Sequence, residues 1–262
     1  MDRLSAEKIK TLLEDSIFSK NIIIYDSLES TNNTAKEFYK QGAIDGTVIL
    51  AEEQTAGRGR MGRQWLSPAC KNLLFSIILR PDIKVENIYS LTLALAAAGI
   101  GAVKNISGLS SMIKWPNDIY LNKKKLAGIL TEFKIRGKSP AYIILGMGMN
   151  VNWNPETEKN ILFPSTSIFN ETGRVTFRNE LIAEILKNLE ILYNDIINER
   201  MESLNRRIND LSLLTGREVS VDTGEKIIRG IARGIDTDGG LILKGEDGDV
   251  RKILNGDVSI SF

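Results

Sequence analysis

The segment Gln54-Thr55-Ala56-Gly57-Arg58-Gly59-Arg60-Met61-Gly62-Arg63-Gln64-Trp65 spaces its glycines as G-x-G-x-x-G. In a dinucleotide-binding fold that motif opens a helix directly after a strand. Here three residues separate the preceding strand from the loop, and Pro68 follows in place of a helix. The variable positions also carry Arg58 and Arg60. The segment therefore reads as an anion clamp between two strands. Its glycines let backbone amides approach a ligand closely, and its three arginines can neutralise a phosphate. A solvated basic loop is the plainer alternative.

Working outward, Thr47–Glu52 before the clamp and Asn72–Leu79 after it have strand character. Upstream, Ile9, Leu12, Leu13 and Ile17 recur at helical spacing behind Ser5, Ile22–Tyr25 is a short strand, and Thr31 to Lys40 is helical. Downstream, Asn87 to Val103 reads as a buried helix, followed by strands at Ile119–Leu121, Lys125–Lys134 and Ala141–Val151. Asn152–Ser167 is a long loop, and one amphipathic helix is expected from Thr176 to about Asn209. After Leu214 the texture changes to five short strands, with Asp- and Gly-rich turns that include Glu246-Asp247-Gly248. That spacing suggests an SH3-like β-barrel, with the boundary between residues 1–212 and 213–262.

The 262 residues carry 34 basic and 33 acidic groups, a net charge of +1, so anion binding must be local. A single cysteine, Cys70, excludes an intramolecular disulfide. The absence of histidine removes Ser-His and Cys-His nucleophile pairs and nearly every protein zinc site. The near-apolar run Leu91 to Val103 is shorter than a bilayer span, and the N-terminus shows no signal-peptide core. These features lead to the expectation of a soluble cytoplasmic protein that uses no membrane.

Three further segments carry candidate chemistry. Lys114-Trp115-Pro116-Asn117-Asp118 reads as a Pro-fixed turn presenting a lysine, or as an ordinary turn with an exposed one. Gly128, and Gly146 with Gly148 in Gly146-Met147-Gly148-Met149-Asn150, strip side chains from a sheet face and leave a floor for a flat ligand, or mark a bulge. Ser30-Thr31-Asn32 at a helix start caps the helix or binds a polar ligand. The lysines at 123, 124 and 125 read as a solvated hairpin tip.

Together these segments resemble the biotin protein ligases, the biotin–acetyl-CoA-carboxylase ligase family, over roughly residues 22–262. The resemblance implies an α+β fold: a mixed β-sheet catalytic domain flanked by helices, of the class II synthetase-like biotin/lipoate ligase type, with a small C-terminal SH3-like barrel. It implies that biotin and MgATP form biotinyl-5′-AMP, and that a lysine of a biotin carboxyl carrier domain then takes the biotin. By motif position, Ser30, Thr31, Asn32 and Gln54, with Gly57 and Gly59 of the clamp, should hold biotin. Gly128, Gly146 and Gly148 should lie beneath it. Lys114 should bridge the biotin carboxylate and the α-phosphate, with Arg58 and Arg60 acting beside it. Arg60, Arg63, Trp65, Asn117 and Asn150 should face the nucleotide. The magnesium ligands are not assigned by the resemblance; Asp118 is the nearest carboxylate. Bifunctional members carry an N-terminal DNA-binding domain of about 60 residues, and here some 20 residues precede the first strand. DNA binding is therefore not expected, and a homodimer is compatible. The rival readings are a lipoate-attaching enzyme of the same superfamily and a nucleic-acid-binding protein. Net charge +1 counts against the latter.

Overall fold

The computed structural model describes residues 3–158, 161, 163–246 and 248–260. The turn residue Asp247, part of the Asn152–Ser167 loop and both chain ends lie outside them. The first sheet contains β1 (Ile22–Tyr25), β2 (Thr47–Ala51), β3 (Leu73–Leu79), β4 (Met112–Lys114), β5 (Asp118–Leu121), β6 (Lys124–Arg136) and β7 (Ser139–Met149). Their order is β1-β2-β3-β7-β6-β5-β4. Only β1 and β2 pair in parallel, as a mixed sheet requires. Apart from Thr47 and Ser76, β2 and β3 are apolar because helices cover both faces, and every residue of the two strands is buried.

On one face α2 (Thr31–Lys40), the crossover between β1 and β2, packs Ala35 against Ile49, Ile78 and Ile144. The main core, including α1 (Ala6–Leu13), α3 (Ile88–Ser107) and α5 (Arg178–Ile197), occupies the other face. α3 is longer than its apolar run suggested. By length and composition Val85–Ser107 could cross a membrane, but most of it is buried inside the protein. Its uniform apolarity is that of a core helix packed on all sides.

The structure corrects the expected single helix from Thr176 to Asn209. The chain breaks at Glu199, which has a φ of 56°, and separates α5 from α6 (Met201–Asp210). Arg200 closes the break on Asp195 at 2.8 Å, and α6 turns so that Asn205 and Asn209 bond the backbone of Ile235. The α5 N-cap is Phe177; Thr176 bonds Asn152 through its backbone instead. The short helix α4 (Ile168–Thr172) and the strand β4 were not anticipated.

The second sheet has β8 (Glu218–Asp222), β9 (Ile227–Ile235), β10 (Leu241–Lys244), β11 (Val250–Ile253) and β12 (Asp257–Ile260). They are antiparallel in the order β11-β10-β9-β8-β12, which fits an SH3-like fold. Its buried Val219, Val221, Ala232, Leu241 and Leu243 belong to the same continuous cluster as the first sheet's core.

Candidate active site

A cavity of about 540 Å³ opens between the first sheet and the C-terminal strands. Every residue expected at the site lines it except Gly57. Gly57 acts one step removed. The clamp folds as a narrow hairpin in which Trp65 N–H donates to Gly57 O at 2.9 Å and Gly59 N–H to Arg63 O at 2.7 Å. A Cβ on Gly57 would lie 2.7 Å from the Trp65 carbonyl, so only glycine permits that pairing.

One end of the cavity is a neutral hydrogen-bonding slot at the start of α2. Ser30 is the N-cap, yet its side chain makes no capping bond. Gln54 Oε1 takes that role, accepting from Thr31 N–H at 2.7 Å and standing 3.0 Å from Thr31 Oγ1. The wholly buried Ser76 Oγ lies 2.7 Å from Thr31 Oγ1 and 2.6 Å from Asn32 Oδ1. Asn32 donates its amide to Leu130 O and to Glu132, which Lys36 pairs at 2.6 Å. Two hydroxyl hydrogens thus serve three oxygen–oxygen contacts. One of the three contacts therefore lacks a hydrogen, and its oxygens keep accepting capacity.

At the glycine floor, side chains from elsewhere in the fold come close. A Cβ on Gly146 would collide with Asn32 Oδ1, and one on Gly148 would lie 2.5 Å from the Trp65 ring. Gly128 faces Lys125 and the same indole, at 3.1 and 3.2 Å. These glycines line the cavity and at the same time make room for Asn32 and Trp65. Trp65 Nε1 is buried without a hydrogen-bond partner, a donor available to a ligand acceptor.

The other end is cationic. Lys114 ends β4, its ammonium 3.4 Å from Tyr120 Oη and 4.9 Å from that ring. Burial pushes its pKa below the ordinary lysine value, with Asp118 pulling it back up. Burial, then the charge of Asp118, raises the Tyr120 phenol to about 12, so it stays neutral and accepts from the Lys114 ammonium. Lys125, expected at a solvated hairpin tip, instead lies 2.7 Å from Asp118 and over Trp65. A register shift between Ile119 and Tyr120 breaks the regular β5–β6 pairing beside it.

Arg60 bonds Asn117 Oδ1 at 3.1 Å, Gly256 O at 3.4 Å and the Asn255 side chain. Arg63 pairs with Asp257 and lies 5.3 Å from the Phe163 ring. Arg58 is exposed, with no ion-pair partner among the described residues. Asn117 and Asn150 line the cavity but brace it. The first also donates to Ile129 O at 2.7 Å; the second bonds Thr166 O and accepts from Trp153 Nε1. Lys125, Ser76, Glu132 and Asp257 escaped the sequence reading. An unpaired-looking acid behind a glycine, as in Asn255-Gly256-Asp257, is too common a pattern to flag. Among the described residues no three His, Cys, Asp or Glu side chains cluster as metal ligands, and Asp118 is already paired with Lys125.

Comparison with known proteins gives a consistent result. Residues 24–150 match the model of the biotin/lipoate A/B protein ligase family, and residues 214–261 that of the biotin protein ligase C terminal domain. The bifunctional ligase/repressor BirA of Bacillus subtilis is 34% identical over 259 residues, covering 98% of this chain and 79% of that protein. The biotin–[acetyl-CoA-carboxylase] ligase of Mycobacterium tuberculosis is 31% identical, covering 83% and 82% respectively. The solved structure of a biotin protein ligase from Aquifex aeolicus in complex with biotin and ATP aligns with a TM-score of 0.80 at 32% identity, over 92% of this chain and 99% of that one.

Proposed function

This chain belongs to the biotin/lipoate A/B protein ligase family, and on that premise we propose how its cavity performs ATP-dependent biotinylation. The observation that carries the reading is the division of one cavity into a neutral slot and a cationic end. The slot suits a ureido ring, which offers N–H donors and one carbonyl. At the other end the biotin carboxylate meets the α-phosphate of ATP. A carboxylate is ionised at pH 7 and needs no general base, which agrees with a chain lacking histidine. The obstacle is repulsion between two anions, and fixed cations lower it. Lys114 stands at the meeting point. A carboxylate oxygen attacks the α-phosphorus and pyrophosphate leaves; the carrier lysine's amine then attacks the acyl carbon and AMP leaves. Arg58, Arg60 and Arg63 close over the adenylate, Arg63 exchanging Asp257 for phosphate or carboxylate.

Magnesium would accompany ATP, with Asp118 the nearest carboxylate, paired here with Lys125; it would neutralise charge on the phosphates. Residues 1–212 form the catalytic domain and residues 213–262 a supporting barrel. The use of ATP and of a carrier-domain lysine supports a cytoplasmic reading. The stretch ahead of β1 offers one helix, α1, with Ile9 and Leu13 buried in the main core. With its apolar side spent on the core, α1 is proposed to take no part in reading DNA. A specific, salt-resistant complex in a duplex titration would overturn that statement.

The test of function is ATP–pyrophosphate exchange with biotin, with lipoate, and with neither. Exchange is expected with biotin alone; exchange driven by lipoate would reassign the slot. Within it, Gly146→Ala should displace Asn32 and leave buried polar groups unpaired, at a cost of roughly 1–3 kcal/mol. Calorimetry should then show biotin binding weakened about 10- to 100-fold. A dissociation constant within twofold of the parent would remove Asn32 from the slot.

A further inference from the structure

Lys114 is held by its neighbours on both sides, and both are gripped by the C-terminal part of the chain. β4 is only three residues long and lies at the sheet edge, so its own pairing positions the lysine weakly. Before the lysine, Ile113 N–H donates to Leu211 O and Ile113 O accepts from Leu213 N–H, each at 2.8 Å. After it, the Trp115 side chain is 1% exposed and its Nε1 donates to Gly239 O at 2.8 Å. Gly239 belongs to the turn between β9 and β10, and the turn is braced from within. Lys252 pairs with both Asp236 and Asp238, and Asp238 accepts from Gly240 N–H at 3.0 Å. The turn lies flat on the start of α3. Ser90 Oγ donates to Thr237 O at 2.8 Å, and a Cβ on Gly239, whose φ is 86°, would stand 3.0 Å from the Tyr89 backbone.

We propose that Trp115 is a positioning residue for the first half-reaction: through its indole N–H and the Gly239 carbonyl, the barrel sets the place of the Lys114 ammonium. The proposal rests on the function given above and names how the barrel serves it. Small displacements of a catalytic group cost large factors in rate while leaving remote binding contacts intact. The link should therefore appear in turnover and not in the neutral slot.

Trp115→Phe keeps a buried ring and removes only the donor. Ser90→Ala cuts the neighbouring bond to the same turn and touches nothing at Lys114, so it reports docking alone. In pyrophosphate exchange with the full chain, Trp115→Phe is expected to lower kcat about tenfold with the biotin KM within twofold of the parent. Ser90→Ala should stay within twofold on both. Gly239→Ala strains the turn from the other side and should reproduce the kcat loss with KM spared, which keeps the test open should Trp115→Phe fold poorly. Parental kcat in Trp115→Phe, or equal losses in Trp115→Phe and Ser90→Ala, would overturn the proposal. A parent protein without biotin-dependent exchange would instead overturn the function on which it rests.

Discussion

Lys114→Ala is expected to slow biotin-dependent pyrophosphate exchange about a hundredfold while leaving the fold intact. The lost contact is charge-assisted and strongest when the carboxylate and α-phosphate meet, a situation in which one donor contributes roughly 3 kcal/mol. The fold should survive because the ammonium is held only loosely, by a 3.4 Å hydrogen bond to Tyr120 and that residue's ring. Lys125 keeps a second cation in the cavity, so exchange should persist at a low level. The pH dependence follows from burial. The protonated lysine is the active form, and burial lowers its pKa. The parent rate should therefore decline toward alkaline pH earlier than an exposed lysine would dictate. Lys114→Arg, which keeps its charge far above that range, should flatten the alkaline limb even if its rate is lower. Near-parental exchange in Lys114→Ala, or an alkaline limb unchanged in Lys114→Arg, would end the assignment.

Arg178→Met should destabilise the protein by about 3–5 kcal/mol, the cost of leaving one partner of a buried ion pair uncompensated. Arg178 is fully buried and its Nη1 lies 2.6 Å from Glu52 Oε2 and 3.1 Å from Asn72 O. Glu52 Oε1 also accepts Leu4 N–H at 2.8 Å. One guanidinium thus ties the residues at which the clamp excursion leaves β2 and rejoins β3, and Glu52 adds the N-terminal segment. Against a typical total stability of about 5–15 kcal/mol, the loss is a large share. Glu52→Gln combined with Arg178→Met removes the buried charge and should recover part of it. Urea unfolding measures all three proteins. An Arg178→Met midpoint equal to the parent's, or a double variant no better than the single, would show that the pair is not carrying the load assigned to it.

The local signals were legible wherever a short run of residues determines its own conformation or chemistry. Glycines and arginines between two apolar strands marked the clamp. The Lys114 turn, the glycines of β6 and β7 and the strand spacing after Leu214 were visible for the same reason, and with them came the α+β class and the barrel. Contacts across the fold decided the rest. Lys125 reads as a hairpin tip until the irregular β5–β6 register brings it to Asp118. Ser76 looks like any polar residue in a strand until α2 crosses above it and Thr31 and Asn32 close on its hydroxyl. Asp257 meets Arg63 from 194 residues away in the chain. The expected continuous helix after Thr176 is broken at Glu199, and α6 bonds Ile235 of the barrel. Periodicity and turn chemistry are written within a few residues of one another, whereas a half-buried charge or hydroxyl acquires its partner only when packing brings distant segments together.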